Sequence, residues 1–273
     1  MVVGCLLIAP TLMTILISFT SGTILFFPPP GYGTRWYANF FERPEWVSGA
    51  LTSLQVGLVV MAVSTVLGTL TALAIQRGRF PGRDLLIALV LSPIIAPSVI
   101  VGLGMYVLYL RLHLVGSLLV FVAAHSALGL PFVVVNVTAG LRTVDRNVER
   151  AALNLGATPL QTFIRITLPL ILPAMLAGAL FAFITSWDEV VIALFLSTPL
   201  VQTLPVVMWT GIRFGVDPTV AAASAMSTAV SLLIGAAFLA SRWVFAGFRR
   251  SGAIGDEAAR LRQLQSVRLE WCA

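Results

Sequence analysis

Lysine is absent: all seventeen basic residues are arginine. Cysteine is nearly so, and Cys5 and Cys272 stand at opposite ends with no partner spacing, which argues against a disulfide framework or a metal site. Charge is also scarce. Only 10% of residues are charged and 58% are hydrophobic, with a mean hydropathy of +0.97. A soluble domain of this length carries about twice that charge. The signatures of catalysis are missing too: there is no Walker A loop, GxSxG, HExxH or CxxC. No catalytic residue, metal ligand or cofactor is assigned to this chain, and it reads as a protein that is not an enzyme. The net charge of +6 raises the question of nucleic acid. The arginines gather at the ends of apolar segments, however, which fits the positive-inside bias of membrane proteins better than a basic groove.

The apolar residues come in blocks of twenty or so, the length that crosses roughly 30 Å of hydrocarbon. The fold class is therefore an all-α membrane protein with six transmembrane helices, at about residues 2–19, 51–75, 85–110, 114–141, 168–196 and 219–245. The first block lacks a charged n-region and a small-residue cleavage site, so it reads as an uncleaved span rather than a signal peptide. Its start directly at apolar residues leaves room for cytoplasmic residues ahead of it. Residues 31–48 read as a loop whose Arg35, Arg43, Glu42 and Glu45 cancel. Its Trp36, Tyr37 and Trp46 suit a headgroup belt. Pro93 and Pro97 should kink the third span and place it among neighbours that satisfy the freed carbonyls. Residues 197–218 read as an outside loop with an amphipathic or re-entrant piece. The run Ala221–Ala225 offers a small-residue face for close packing.

Arginine-rich connections follow the second, fourth and sixth spans, which places both termini in the cytoplasm (N-in/C-in). The domain reading is a first span with its extracytoplasmic loop (1–49), a membrane core (50–245) and a cytoplasmic tail (246–273).

The longest polar interruption is 145–169. Val148, Ala151, Ala152 and Leu155 recur at i, i+3, i+4 and i+7, on one face of a short helix over about 145–157. Asp145 suits its N-cap, Glu149 its dipole, and Gly156 a left-handed C-cap. Thr158-Pro159-Leu160-Gln161 is a capping box that opens a second helix. Such a cytoplasmic knob suits insertion into a groove on a soluble partner, or packing on its own bundle, and periodicity leaves both open.

Glu149-Arg150-Ala151-Ala152, Leu155-Gly156-Ala157 and Ile166-x-Leu168-Pro169 resemble the EAA loop of ABC-importer permeases. That pattern is Glu-Ala-Ala, three residues, Gly, nine residues, Ile, one residue, Leu-Pro. The match holds from Ala151 onward and departs at Arg150, which occupies the place of the family's Glu. Glu149 lies one position earlier, rotated by about 100°. Pro93 to Pro97 with Gly102 and Gly104, His125 to Pro131-Phe132, Phe183 to Val191, and Thr203-Leu204-Pro205 with Met208-Trp209 are similar to the spermidine/putrescine-type branch. The resemblance implies a type I ABC importer permease fold, in a multi-pass subunit of a bacterial inner membrane, surrounded by lipid. It also implies a second permease, two ATPase subunits that carry the ATP and Mg, and an extracytoplasmic substrate-binding protein. Val148, Glu149, Arg150, Ala151, Ala152, Leu155, Gly156 and Ala157 would then dock in the ATPase cleft as the coupling helix. The substrate would be a polyamine such as putrescine or spermidine, or a similar small organic solute.

Carboxylates within a membrane are costly and face a cavity or partner. Asp188 lies about 30 Å from Leu168 along an ideal helix. A pathway reading places Asp188, with Trp187, against a cationic substrate near the outer gate, and adds Glu189 and Trp209. The alternative is a structural hydrogen bond or ion pair, and for Trp209 an anchor at the outer interface. His125 reads as an interhelical hydrogen bond rather than a proton relay, and Asn136 as packing glue. Two rivals remain. A secondary transporter would show an internal repeat and broken helices, and an intramembrane enzyme needs a nucleophile or metal cluster.

Overall fold

The computed structural model describes residues 2–214 and 217–240. The secondary structure of the described residues is helical, with no strand beyond two isolated bridges, Thr20 with Tyr32 and Thr198 with Val201. In order the helices are α1 (Val2–Ser18), α2 (Arg35–Glu42), α3 (Pro44–Arg77), α4 (Arg83–Ile95), α5 (Ser98–Arg111), α6 (Leu118–Thr143), α7 (Arg146–Asn154) and α8 (Pro159–Thr162). A π-helical turn, Phe163–Thr167, leads into α9 (Leu168–Trp187), followed by α10 (Val191–Leu196) and α11 (Leu204–Phe214). The last is α12 (Thr219–Ala240).

The core is the three-way packing of α3, α6 and α9. Val133 of α6 shows why small residues are needed there. A Cβ added at Gly178 on α9 would stand 2.7 Å from the Val133 Cα, and one at Gly68 on α3 would stand 2.6 Å from its Cβ. Glycines on both flanking helices let three backbones close on one valine, so that dispersion contacts replace a hydrophobic drive that lipid cannot supply. Val56, Val60, Phe121 and Ile192 form a second cluster, towards the α10 end.

Four helices are long and apolar enough to cross a membrane: Pro44–Arg77, Leu118–Thr143, Pro159–Trp187 and Thr219–Ala240. The pair α4 and α5 would make a fifth crossing, bent by 108° at its break. α1 is apolar but has only 17 residues.

The structure corrects several sequence expectations. The third span is broken rather than kinked, because Pro97 forces Ala96 out of the helical region to φ −71° and ψ 135°. It is not enclosed either: Leu89, Ile95 and Ile100 are exposed. The fifth span does not run unbroken over 168–196. It starts at Pro159, passes the π-turn and stops at Trp187. Pro169 has no N–H to offer the preceding turn, and the helix widens immediately before it. Residues 31–48 are not a loop, since α2 and the first turns of α3 occupy 35–48. Trp36 and Trp46 are buried rather than turned to headgroups, with Trp46 beside Phe40 at 5.9 Å between ring centroids. The amphipathic pattern of α2 explains this, because Trp36 and Phe40 lie four apart on one face.

Polar links fasten the other end of the bundle from α7. Arg43 pairs with Asp217 at 2.7 Å, and Asn39 Nδ2 donates to Thr219 Oγ1 at 2.6 Å. Ser53 Oγ accepts from the Leu204 N–H at 2.8 Å and so fixes the start of α11 on α3. In the small-residue run of α12, Ala221, Ala222, Ala223 and Ala225 are buried. Contacts group the chain into two units, Met1–Ser231 and Leu232–Ala273. In the second, residues 232–240 are described and are helical, with Leu232, Leu233 and Leu239 exposed. The end of the expected sixth span (241–245) and the expected tail (246–273) lie outside the described residues.

Candidate coupling helix and pathway residues

Local chemistry shapes α7. The Asp145 carboxylate accepts from the Asn147 N–H at 2.9 Å, which satisfies one of the free donors at the helix start. At the other end Gly156 takes φ +90°, a conformation that costs a residue with a side chain, and the Ala157 N–H returns to the Ala152 carbonyl. Thr158 and Gln161 complete a reciprocal capping box at 3.2 and 2.9 Å.

The eight expected docking residues divide between two faces. Val148, Arg150, Ala151, Leu155 and Gly156 are exposed, and Leu155 is 89% exposed. Glu149, Ala152 and Ala157 are half-buried. Glu149 points into the chain: its Oε1 accepts from Arg77 Nη2 at 3.1 Å and from Thr167 Oγ1 at 2.8 Å. One carboxylate thereby joins α7 to the end of α3 and to the π-turn before α9. Arg146 Nη2 adds a bond to the Gln76 carbonyl. Arg77 and Thr167 carried no mark of this role in the sequence. Their only signals were an arginine at a span end and a threonine one residue before Leu168-Pro169.

The four expected pathway residues do not share one task. Trp187 is only 4% exposed, stacks on Phe183 with ring centroids 5.8 Å apart, and donates from Nε1 to Ser227 Oγ at 2.8 Å. Glu189 Oε1 accepts from the Ile192 N–H at 2.8 Å and so caps α10. Asp188 occupies the break between α9 and α10, is exposed, and has no side-chain hydrogen bond or ion pair among the described residues. Trp209 is 46% exposed on α11. His125 is fully buried and its Nδ1 lies 2.9 Å from Ser186 Oγ, a bond between α6 and α9. Asn136, by contrast, bonds the Phe132 carbonyl of its own helix at 2.8 Å, so it does not join helices.

For α7 the result is an exposed, capped helix at one end of a span bundle, anchored to two of its spans. Residues 64–248 match the family described as binding-protein-dependent transport system inner membrane component. The chain belongs to this family. The match takes in the last fourteen residues of α3 and everything from there through α12, including α6, α7 and α9.

Among curated relatives of this transport component, the putrescine transport system permease protein PotI of Escherichia coli (strain K12) is 36% identical over 221 residues, covering 78% of each chain. The spermidine/putrescine transport system permease protein PotC of the same strain is 29% identical, over 75% of this chain and 77% of that one. Among solved structures, a bacterial alginate ABC transporter in complex with alginate pentasaccharide-bound periplasmic protein superposes with a TM-score of 0.68 at 17% identity. It covers 85% of this chain and 88% of the other. That likeness shows the fold: a helical ABC importer permease.

Proposed function

We propose that this chain is one of two permease subunits that enclose the pathway of an ABC importer, and that α7 is its coupling helix. The observation that carries the proposal is the division of α7 into two faces. Val148, Ala151 and Leu155 form an exposed apolar patch, while Glu149 anchors the opposite side to α3 and α9. An apolar helix face fits a groove on a soluble partner, here an ATPase subunit that binds the ATP and Mg. This chain binds no cofactor of its own. Closure of two ATPases would push α7, and the Glu149 node would deliver the push to two spans at once.

In this reading the chain crosses a bacterial inner membrane six times, counting α1 and the bent pair α4–α5, with both ends and α7 in the cytoplasm. The α9–α10 break then lies towards the outside, where a substrate-binding protein delivers its cargo. The two named relatives transport putrescine or spermidine and putrescine. An exposed carboxylate at the break suits a cationic amine, so the cargo is a small polyamine and Asp188 is its contact.

The test is co-purification and uptake with the complete transporter. Leu155→Arg places a charge in the docking patch, and the ATPase should be lost from the purified complex together with putrescine uptake. An ATPase that stays bound to that variant refutes the coupling role. Orientation is tested separately by single cysteines. A cysteine at Asn154 should react with a membrane-impermeant maleimide only in opened cells, and one at Leu200 in intact cells.

A further inference from the structure

Beside the Glu149 node, at the α7 end of the bundle, lies a cavity of about 310 Å³ between α3, α4 and α6. Its walls are apolar: Ile75, Ile87, Val90, Leu91, Val134 and Ala139. Its polar residues are Gln76, Thr138, Arg83 and Arg142. A second cavity of about 400 Å³ shares Ile75, Gln76 and Arg83 and adds Arg77, Arg79 and Arg146. Arg83 and Arg142 therefore line the apolar cleft, and Arg77, Arg79 and Arg146 line the cavity that adjoins it.

Their charge is mostly unbalanced. Among the described residues, Arg77 is the one of the five with a carboxylate partner, Glu149. Arg83 Nε donates to the Ile75 carbonyl at 2.7 Å, and Arg146 bonds the Gln76 carbonyl, both neutral acceptors. No carboxylate comes within ion-pair distance of Arg79, Arg83, Arg142 or Arg146 among the described residues. Asp84 lines neither cavity.

We propose that this paired cavity binds one anionic phospholipid, with its phosphate and headgroup among the arginines and a fatty chain in the cleft between α4 and α6. A guanidinium presents a fork of donors that matches a phosphodiester, and basic pockets between spans on the cytoplasmic side hold anionic headgroups. A free phosphate would satisfy the arginines and leave the apolar walls empty. A zwitterionic lipid would bring an ammonium group in among them. The site rests on the cytoplasmic placement of α7 proposed above. Because Arg77 and Arg146 also hold α7, an occupied site stiffens the base of the coupling helix.

Native mass spectrometry of the complete transporter, released from nanodiscs of phosphatidylglycerol or of phosphatidylcholine, tests it. The wild type should retain one phosphatidylglycerol and much less phosphatidylcholine. Arg83→Gln with Arg142→Gln should lower retention about thirtyfold, as expected for two juxtamembrane charges. Ala139→Phe fills the cleft without changing charge and should lower it too, which guards against a double variant that fails to assemble. Equal retention of the two lipids overturns the proposal. So does unchanged retention in the variants, or displacement of phosphatidylglycerol by millimolar inorganic phosphate. The same spectra report the ATPase: its absence from the wild-type complex defeats the coupling role, whereas the lipid count is read independently of it.

Discussion

Two polar interruptions break the apolar chain, the α7 knob and the turn between α9 and α10, and they treat their carboxylates in opposite ways. At the knob Glu149 is half-buried and holds Arg77 and Thr167. At the turn Glu189 is spent on capping α10, and Asp188 is left exposed without a partner in the described chain. A carboxylate that the chain leaves unpaired is answered by water or by a partner. The comparison thus separates an anchor from a contact. Glu149 links parts of the chain to one another, and Asp188, in the proposed reading, is left for the substrate.

Three substitutions sharpen that contrast. Glu149→Ala removes the anchor and leaves Arg77 half-buried and unpaired, so the loss of stability should be about 1–3 kcal/mol, the cost of an unsatisfied polar group. Thermal unfolding of the purified chain measures it. Adding Arg77→Ala should recover part of that loss, and fully additive costs would show that the two residues do not act together. Glu189→Ala removes only a cap and should cost about 1 kcal/mol. Hydrogen exchange of the Ile192 amide should rise, and an amide as protected as before would mean that the cap is idle. Asp188→Asn should leave stability within about 0.5 kcal/mol, as expected for an exposed side chain. It should nevertheless depress putrescine uptake in the complete transporter while ATPase binding stays intact. Unchanged uptake kinetics would erase the distinction between the two interruptions.

How far each region could be read in advance depended on the range of the interactions that shape it. The caps of α7, the left-handed turn at Gly156 and the Thr158–Gln161 box are all made by residues within five positions of one another, so the order of residue types is enough. The transport family was legible for a similar reason, since a spaced pattern from Ala151 to Pro169 and several matching stretches lie along the chain. α2 was missed because eight residues of mixed character between two prolines give too short a period to read. Its helix is supported by burying Trp36 and Phe40, which only the folded chain provides. The third and fifth spans were read as continuous because their hydropathy is continuous. Pro97 signalled a bend, but its size of 108° follows from where α4 and α5 find neighbours, against α6 and α10 respectively.

Composition and order alone determined that this is a helical membrane protein, where its polar knob lies and how that knob is capped. These follow from solvent preference and from hydrogen bonds between near neighbours. The tertiary structure decided which side of the knob faces in. Arg77 and Glu149 are 72 positions apart, and their pairing depends on α3, α7 and the π-turn meeting at one point. It also decided that Trp187 is occupied within the chain while Asp188 has no partner among the described residues, because Ser227, which bonds Trp187, lies 40 positions away. A sequence shows which groups can bond; only packing brings distant ones within reach and leaves the remainder for a partner.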